Sequence, residues 1–241
     1  MTSPGFTARA GGFFYLVMIL FGAVATYAKK IIVVSNDAAA TVANILAHRS
    51  WFEVWYASEL LVVVTYVVVT ALFFQIFKPV SHGVTWLATF FSLIGCATQA
   101  LTSVFRIAPV VIANSASLSA AQVQAMTTLS FKLYGQAYGI GLVFFACYFV
   151  VLGYLTFKST FLPRTLGVFV TIAGLGWLTF LSPTLASHLF PRVLLPLAAL
   201  GEGGLMLWLL VMGVNVQRWN EQAAIAEASA GRGPSDPRRP A

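Results

Sequence analysis

The chain holds seven acidic residues, and two of them, Glu59 and Glu202, stand inside long apolar runs. An ionised side chain at bilayer depth costs roughly 2.5–3.5 kcal/mol on insertion scales. Such a residue asks for a partner or a role. Glu59 lies eight residues into the run Trp51–Phe77, and Glu202 nine residues into Val193–Gln217. At about 1.5 Å of rise per residue both are about 12 Å deep. Two carboxylates sharing one apolar site resist double ionisation, so one can donate a proton while the other accepts it. Other polar residues stand in the same half of their runs: Gln99, Arg106, Lys132, Tyr134, Gln136 and Tyr138. The opposite half is nearly all Val, Leu, Phe and Gly. Glu59 and Glu202 are thus candidate catalytic residues, and the other six are candidates for lining a ligand pocket. The plainer alternative is that Arg106 or Lys132 neutralises a glutamate and ties helices together.

The surrounding residues narrow the chemistry. Glu202 sits in Gly201-Glu202-Gly203-Gly204. Bare backbone there admits either a ligand or a closely packed helix. Gly135, Gly139 and Gly141 read as a helix contact and not as a nucleotide loop, because no strand precedes them. His48, His82 and His188 fall in different loops, and Cys96 and Cys147 are isolated in apolar runs. No metal site or cofactor is expected. Trp51, Trp55, Trp86, Trp177 and Trp219 stand near run ends, as in an interfacial aromatic belt; Trp208 lies deeper.

The elements that must position these residues follow from composition. Of 241 residues, 59% are hydrophobic and 9% are charged, and the mean hydropathy is +0.85. That excludes a disordered chain, a soluble nucleic-acid binder and an ordinary soluble enzyme. It leaves an all-α, polytopic membrane helix bundle in contact with the lipid bilayer, without nucleic acid as partner. Six stretches approach the roughly 20 apolar residues of a span: Gly12–Ala28, Trp51–Phe77, Val84–Phe105, Thr127–Phe157, Leu166–Leu181 and Val193–Gln217. Arg106 is expected to close the third. Two connections read as short interfacial helices, one after Asn36-Asp37 and one after Ser117-Leu118-Ser119. Residues 1–11 are expected as an N-terminal segment, 12–218 as the membrane domain, and 219–241 as a disordered cytoplasmic tail. Ala23-Val24-Ala25 has the small-residue pattern of a leader cleavage site, but the apolar run continues to Ala28, so the first stretch is expected to be retained.

The net charge of +7 places eight Lys and Arg on the side of the termini and six on the other. That bias favours both termini in the cytoplasm. The two tight hairpins then face inward, and the two helix-bearing loops face outward.

Several segments, in order, carry a family resemblance. They are DAAATVANI (Asp37–Ile45), LFFQIFKPV (Leu72–Val80), YGIGLVFFACYFVVLGYL (Tyr138–Leu155), GYLTFKSTFLPRTLGVFVTIAGLGWL (Gly153–Leu178) and GEGGLMLWLLVMGV (Gly201–Val214). From about Ala10 to Gly213 the chain resembles a bacterial family of small integral membrane proteins, domain of unknown function 4386 (DUF4386). The resemblance implies a six-helix domain in the bacterial inner membrane and no particular activity. Members often carry Phe-Arg where this chain has Phe91-Ser92, and a His where it has Gln136.

Three functions fit these residues. One is a binding, sensory or accessory membrane module with an outward-facing polar pocket for a lipophilic small molecule, acting through a membrane partner or a homodimer. Another is a membrane-embedded enzyme on an isoprenoid-like substrate, with Glu59 and Glu202 as acid and base and aromatic faces steadying a cation. The least favoured is a small transporter, since no inverted repeat is evident.

Overall fold

In the computed structural model, residues 3–35, 37–190 and 192–231 are described, and nearly all of them are helical. Six helices among them are long and apolar enough to cross a membrane. The chain forms α1 (Pro4–Ile32), α2 (Ala38–Ala47), α3 (Arg49–Phe77), α4 (His82–Ala113), α5 (Ala120–Lys158) and α6 (Arg164–Trp177). A 3-10 turn (Leu178–Leu181) and α7 (Pro183–Leu189) follow. The last span is composite: α8 (Leu194–Ala198), a π-turn (Ala199–Gly203) and α9 (Gly204–Val211). The chain ends in α10 (Val216–Gly231).

Several boundaries move from their expected places, each for a local reason. The Ser3 side chain accepts the Phe6 N–H and Pro4 stands in the first turn, so α1 starts at Pro4 and absorbs most of the supposed N-terminal segment. Asp37 caps α2 by accepting the Ala40 N–H, as expected of that loop; Asn36 lies outside the described residues. The second interfacial helix is not separate. Ser119 and Gln122 close a reciprocal capping box, and the helix runs from there through Lys158 unbroken. Arg106 does not end a helix: α4 continues through it to Ala113, because its charge is met inside the bundle.

The sixth stretch is not one helix. It widens at the π-turn and stops at Gly213, whose φ of 69° suits a residue without Cβ. The region beyond it is not a disordered tail as far as Gly231. There α10 is pinned to the hairpins: Trp219 Nε1 donates to the Ile76 carbonyl at 2.9 Å, and Thr160 Oγ1 donates to Gln222 Oε1 at 2.9 Å. Residues 232–241 lie outside the described residues.

Glycines set the closest helix approaches, and of the three expected at a helix contact Gly141 packs on Gln99 of α4, where a Cβ would stand 3.0 Å from its Nε2. A Cβ on Gly153 would stand 2.7 Å from the Thr171 amide nitrogen and 2.8 Å from the Gly167 carbonyl oxygen. One on Gly201 would stand 2.6 Å from the Phe169 carbonyl oxygen, and one on Gly12 2.4 Å from the Leu210 nitrogen. These positions clamp α5 to α6, α6 to the π-turn, and α1 to α9. A Cβ on Gly135 would meet nothing within 4 Å.

The helices close in the order α1, α3, α4, α5, α6, α9 and back to α1. Along this last seam α1 packs on α9, whereas it makes no substantial packing with α8. The seam is therefore tight at the end carrying the hairpins and splayed at the end carrying α2. Two apolar clusters flank the middle. One gathers Tyr66, Phe73, Phe145, Tyr148 and Leu152 toward the hairpin end. The other gathers Ala28, Ile32, Ile45, Phe52 and Trp55 beneath α2.

Gly153→Ala should force the α5 and α6 backbones apart and cost about 1–3 kcal/mol, the usual range for overpacking. Gly135→Ala should be neutral or raise stability by up to about 1 kcal/mol through helix propensity. Thermal melts in one detergent check both.

Candidate functional site

Four helices and the π-turn bring the intramembrane polar groups together. α3 carries Glu59 ten residues beyond Arg49, α4 carries Gln99 and Arg106, and α5 carries Tyr134 and Tyr138. The π-turn carries Glu202, and α1 supplies Tyr15. A π-turn adds one residue to a helical turn and turns neighbouring side chains out of the helical register, a frequent device at sites of function.

The glutamates line one cavity of about 210 Å³, together with Gln99, Tyr138, Tyr66 and Trp177. The two carboxylates are held alike. Glu59 Oε1 accepts the Trp55 indole N–H at 2.6 Å, and its Oε2 accepts the Tyr134 hydroxyl at 2.9 Å. Glu202 Oε1 accepts the Trp177 indole N–H at 2.6 Å, and its Oε2 accepts the Tyr15 hydroxyl at 2.9 Å. They differ in charge balance. Arg106 Nη2 pairs with Glu59 Oε2. Among the described residues, Glu202 makes no ion pair.

Arg106 is 1% exposed. Its guanidinium lies 4.9 Å from the Tyr134 ring centre and 5.2 Å from that of Trp55. Its Nε and Nη1 find no hydrogen-bond partner among the described residues. Aromatic faces stand in for them, since ring quadrupoles attract a buried cation. The guanidinium therefore depends on Glu59 for its one charge partner.

The expected pocket residues separate on this frame. Gln99 and Tyr138 line the cavity, and Gln99 Nε2 donates to the Tyr138 carbonyl at 3.3 Å. Tyr134 and Arg106 touch Glu59 from behind. Lys132 does not join them: it borders a surface groove with Val34, Asp37 and Thr41 near α2. Gln136 points away as well, into a groove between α5 and the 180–190 segment with Phe180 and Phe190. Position along α5 put both at the right depth, but the helix face turns them elsewhere.

The tryptophans read as an aromatic belt include two that turn inward, Trp55 and Trp177. Trp55 precedes Glu59 by four residues, the spacing of helical neighbours, so that contact was legible. Trp177 and Tyr15 are remote in sequence from Glu202 and left no local signal. Beneath the cavity stand Phe145 and Phe149. Toward α2 stands the separate apolar cluster of Ile32, Ile45 and Phe52.

Glu59→Leu leaves Arg106 buried without its counter-charge and should cost about 3–5 kcal/mol. The double change Glu59→Leu with Arg106→Met should recover most of that loss. Glu202→Gln should cost no more than about 1–2 kcal/mol, because the amide oxygen still accepts one donor. A double-mutant cycle of chemical denaturation in detergent measures each difference.

Neither the curated proteins nor the solved structures contain a match to this chain. Residues 10–213 match the sequence model of the domain of unknown function DUF4386, most of the chain and all six spans in part or whole, and the protein belongs to that family.

Proposed function

We propose that this multi-pass membrane protein is a binding module that takes a small lipophilic molecule into its intramembrane cavity. One observation carries this reading. Two carboxylates with matching indole and tyrosine donors face the same cavity, and among the described residues only one of them has a counter-charge. The Glu59–Arg106 pair accounts for itself as a structural clamp between α3 and α4. Glu202 has no such account. It is set on an irregular turn, on the wall of the cavity, with acceptor capacity left over.

The same asymmetry weighs against the enzymatic alternative. A paired acid and base needs both carboxylates free to exchange protons with substrate. Glu59 is already engaged by Trp55, Tyr134 and Arg106. As a sensory or accessory module, the protein would act through a membrane partner or a second copy of itself.

A thermal-shift screen of lipophilic small molecules tests this. A ligand at one hundred times its dissociation constant stabilises by about 2.7 kcal/mol. Gly22 lines the cavity, and a Cβ there has Val62 as its nearest neighbour at 4.0 Å, so Gly22→Leu fits while filling the space. The wild type should gain several degrees with a ligand that leaves Gly22→Leu unmoved. If no lipophile shifts the wild type, or if both proteins shift equally, the reading fails.

We further propose residence in the bacterial inner membrane with both termini cytoplasmic. Burial of Arg106 removes it from the surface charge, so the comparison becomes eight against five in favour of the side of the termini. A reporter that is fluorescent only in the cytoplasm should light up when fused after Ala241, and an enzyme active only in the periplasm should stay silent there.

A further inference from the structure

We infer that the ligand of this cavity is an amphiphilic monocation, an amine or quaternary ammonium on one apolar chain, drawn from the lipid through the open part of the seam between α1 and α8. The inference rests on the binding reading above and adds the chemical class and the route.

Charge comes first. The described part of the site holds one guanidinium and two carboxylates. The guanidinium is bound to Glu59. An ionised Glu202 would leave one uncompensated negative charge in an apolar interior, which is costly unless a cation joins it. Its indole and tyrosine donors can steady an anion but bring no positive charge. A bound cation completes the same arrangement that Arg106 completes at Glu59.

The walls suit that guest. Arg106 shows how this protein accommodates a cation, with the charge against one carboxylate and the remaining surface against aromatic faces. The cavity that Glu202 lines is also lined by the aromatic side chains of Trp177, Tyr66, Tyr138 and Phe145. Aromatic rings gathered about a carboxylate recognise ammonium groups. A phosphate or carboxylate headgroup would meet two glutamates here and would be repelled.

Size and access complete the argument. About 210 Å³ is less than the roughly 300–1,000 Å³ of sites for drug-sized ligands. The cavity therefore takes a headgroup and leaves a chain outside. On the α2 side stands the apolar cluster of Ile32, Ile45 and Phe52. At the side, α1 and α8 do not pack together, and Thr26 of α1, which lines the cavity, is exposed. A chain can lie in lipid beside α1 while its head reaches Glu202.

The test uses the full chain in dodecyl maltoside micelles. Decyltrimethylammonium, decanol and decyl sulfate are titrated by calorimetry into wild type, Glu202→Gln and Gly22→Leu. The expected result is saturable binding of decyltrimethylammonium to wild type, at least tenfold weaker in Glu202→Gln and absent in Gly22→Leu, with both congeners at least tenfold weaker than the cation. If decanol binds wild type as tightly as the cation and Gly22→Leu abolishes it, the cavity binds lipophiles but the cationic class is wrong. If the cation binds all three proteins alike, it is held by the micelle or the surface, and the inference falls. If nothing binds wild type, this inference and the binding reading fall together. Should Glu202→Gln fail to fold, the preference of the wild type for the cation over decanol decides alone.

Discussion

A guanidinium in the middle of an apolar bundle is the constraint around which the rest of this fold is arranged. Arg106 is fully buried on α4, in a helix whose outer surface faces lipid. A charge there is tolerated only with a counter-charge and a polarisable lining. Glu59 supplies the first from α3, and Trp55 and Tyr134 supply the second from α3 and α5. These same two aromatics also donate to Glu59. One ion pair thereby sets the mutual rotation of three helices. It also fixes which face of α5 looks inward, and hence why Tyr138, one turn beyond Tyr134, reaches the cavity while Gln136 does not.

Packing then determines where a cavity can exist. Lipid gives no hydrophobic drive for helix association, so approach depends on small residues and interlocking surfaces. Gly153, Gly167 and Gly174 draw α5 and α6 together, Gly201 draws the π-turn onto α6, and Gly12 draws α1 onto α9. None of these glycine contacts reaches the stretch of α1 beyond Tyr15, whose hydroxyl bonds Glu202. Further up α1 the small residues Gly22 and Ala25 line the cavity, and even a Cβ on Gly22 would stand 4.0 Å from Val62 of α3. The cavity is the volume left beside Glu202 where the glycine contacts stop.

The sequence made the six spans legible, because hydrophobic run length is a one-dimensional property. Depth of the polar residues was legible too, since rise per residue is constant, and it brought Glu59, Glu202, Gln99 and Tyr138 to one level. Rotation about each helix axis was not. Lys132 and Gln136 share that level but lie on other faces, and Trp177 and Tyr15 were invisible because their partner is far away in sequence. Helix ends were misread where tertiary contacts override local signals. Arg106 looks like a closing charge until its partner is known, and α10 looks like a solvated tail until Trp219 is seen bonded to the Ile76 carbonyl. The reading of Gly201 as a helix contact proved apt, while Gly135 took no part in one.

The two glutamates show how one local chemistry can serve separate ends. An indole N–H and a tyrosine O–H orient each carboxylate through the same pair of hydrogen bonds. Adding Arg106 to one such set produces a charge-balanced strut between α3 and α4, and loss of Glu59 leaves a buried charge unpaired. Withholding a cation from the other leaves the identical set incomplete. Stability alone would favour an apolar residue at position 202, since Tyr15 and Trp177 could be replaced with it by well-packed hydrocarbon at little cost. Retaining an acid on a widened turn, beside space that the neighbouring helices do not fill, sacrifices packing for an unmet electrostatic demand. A bundle that already shows how it satisfies such a demand internally at Glu59 is one in which the unmet copy points to a partner from outside the chain.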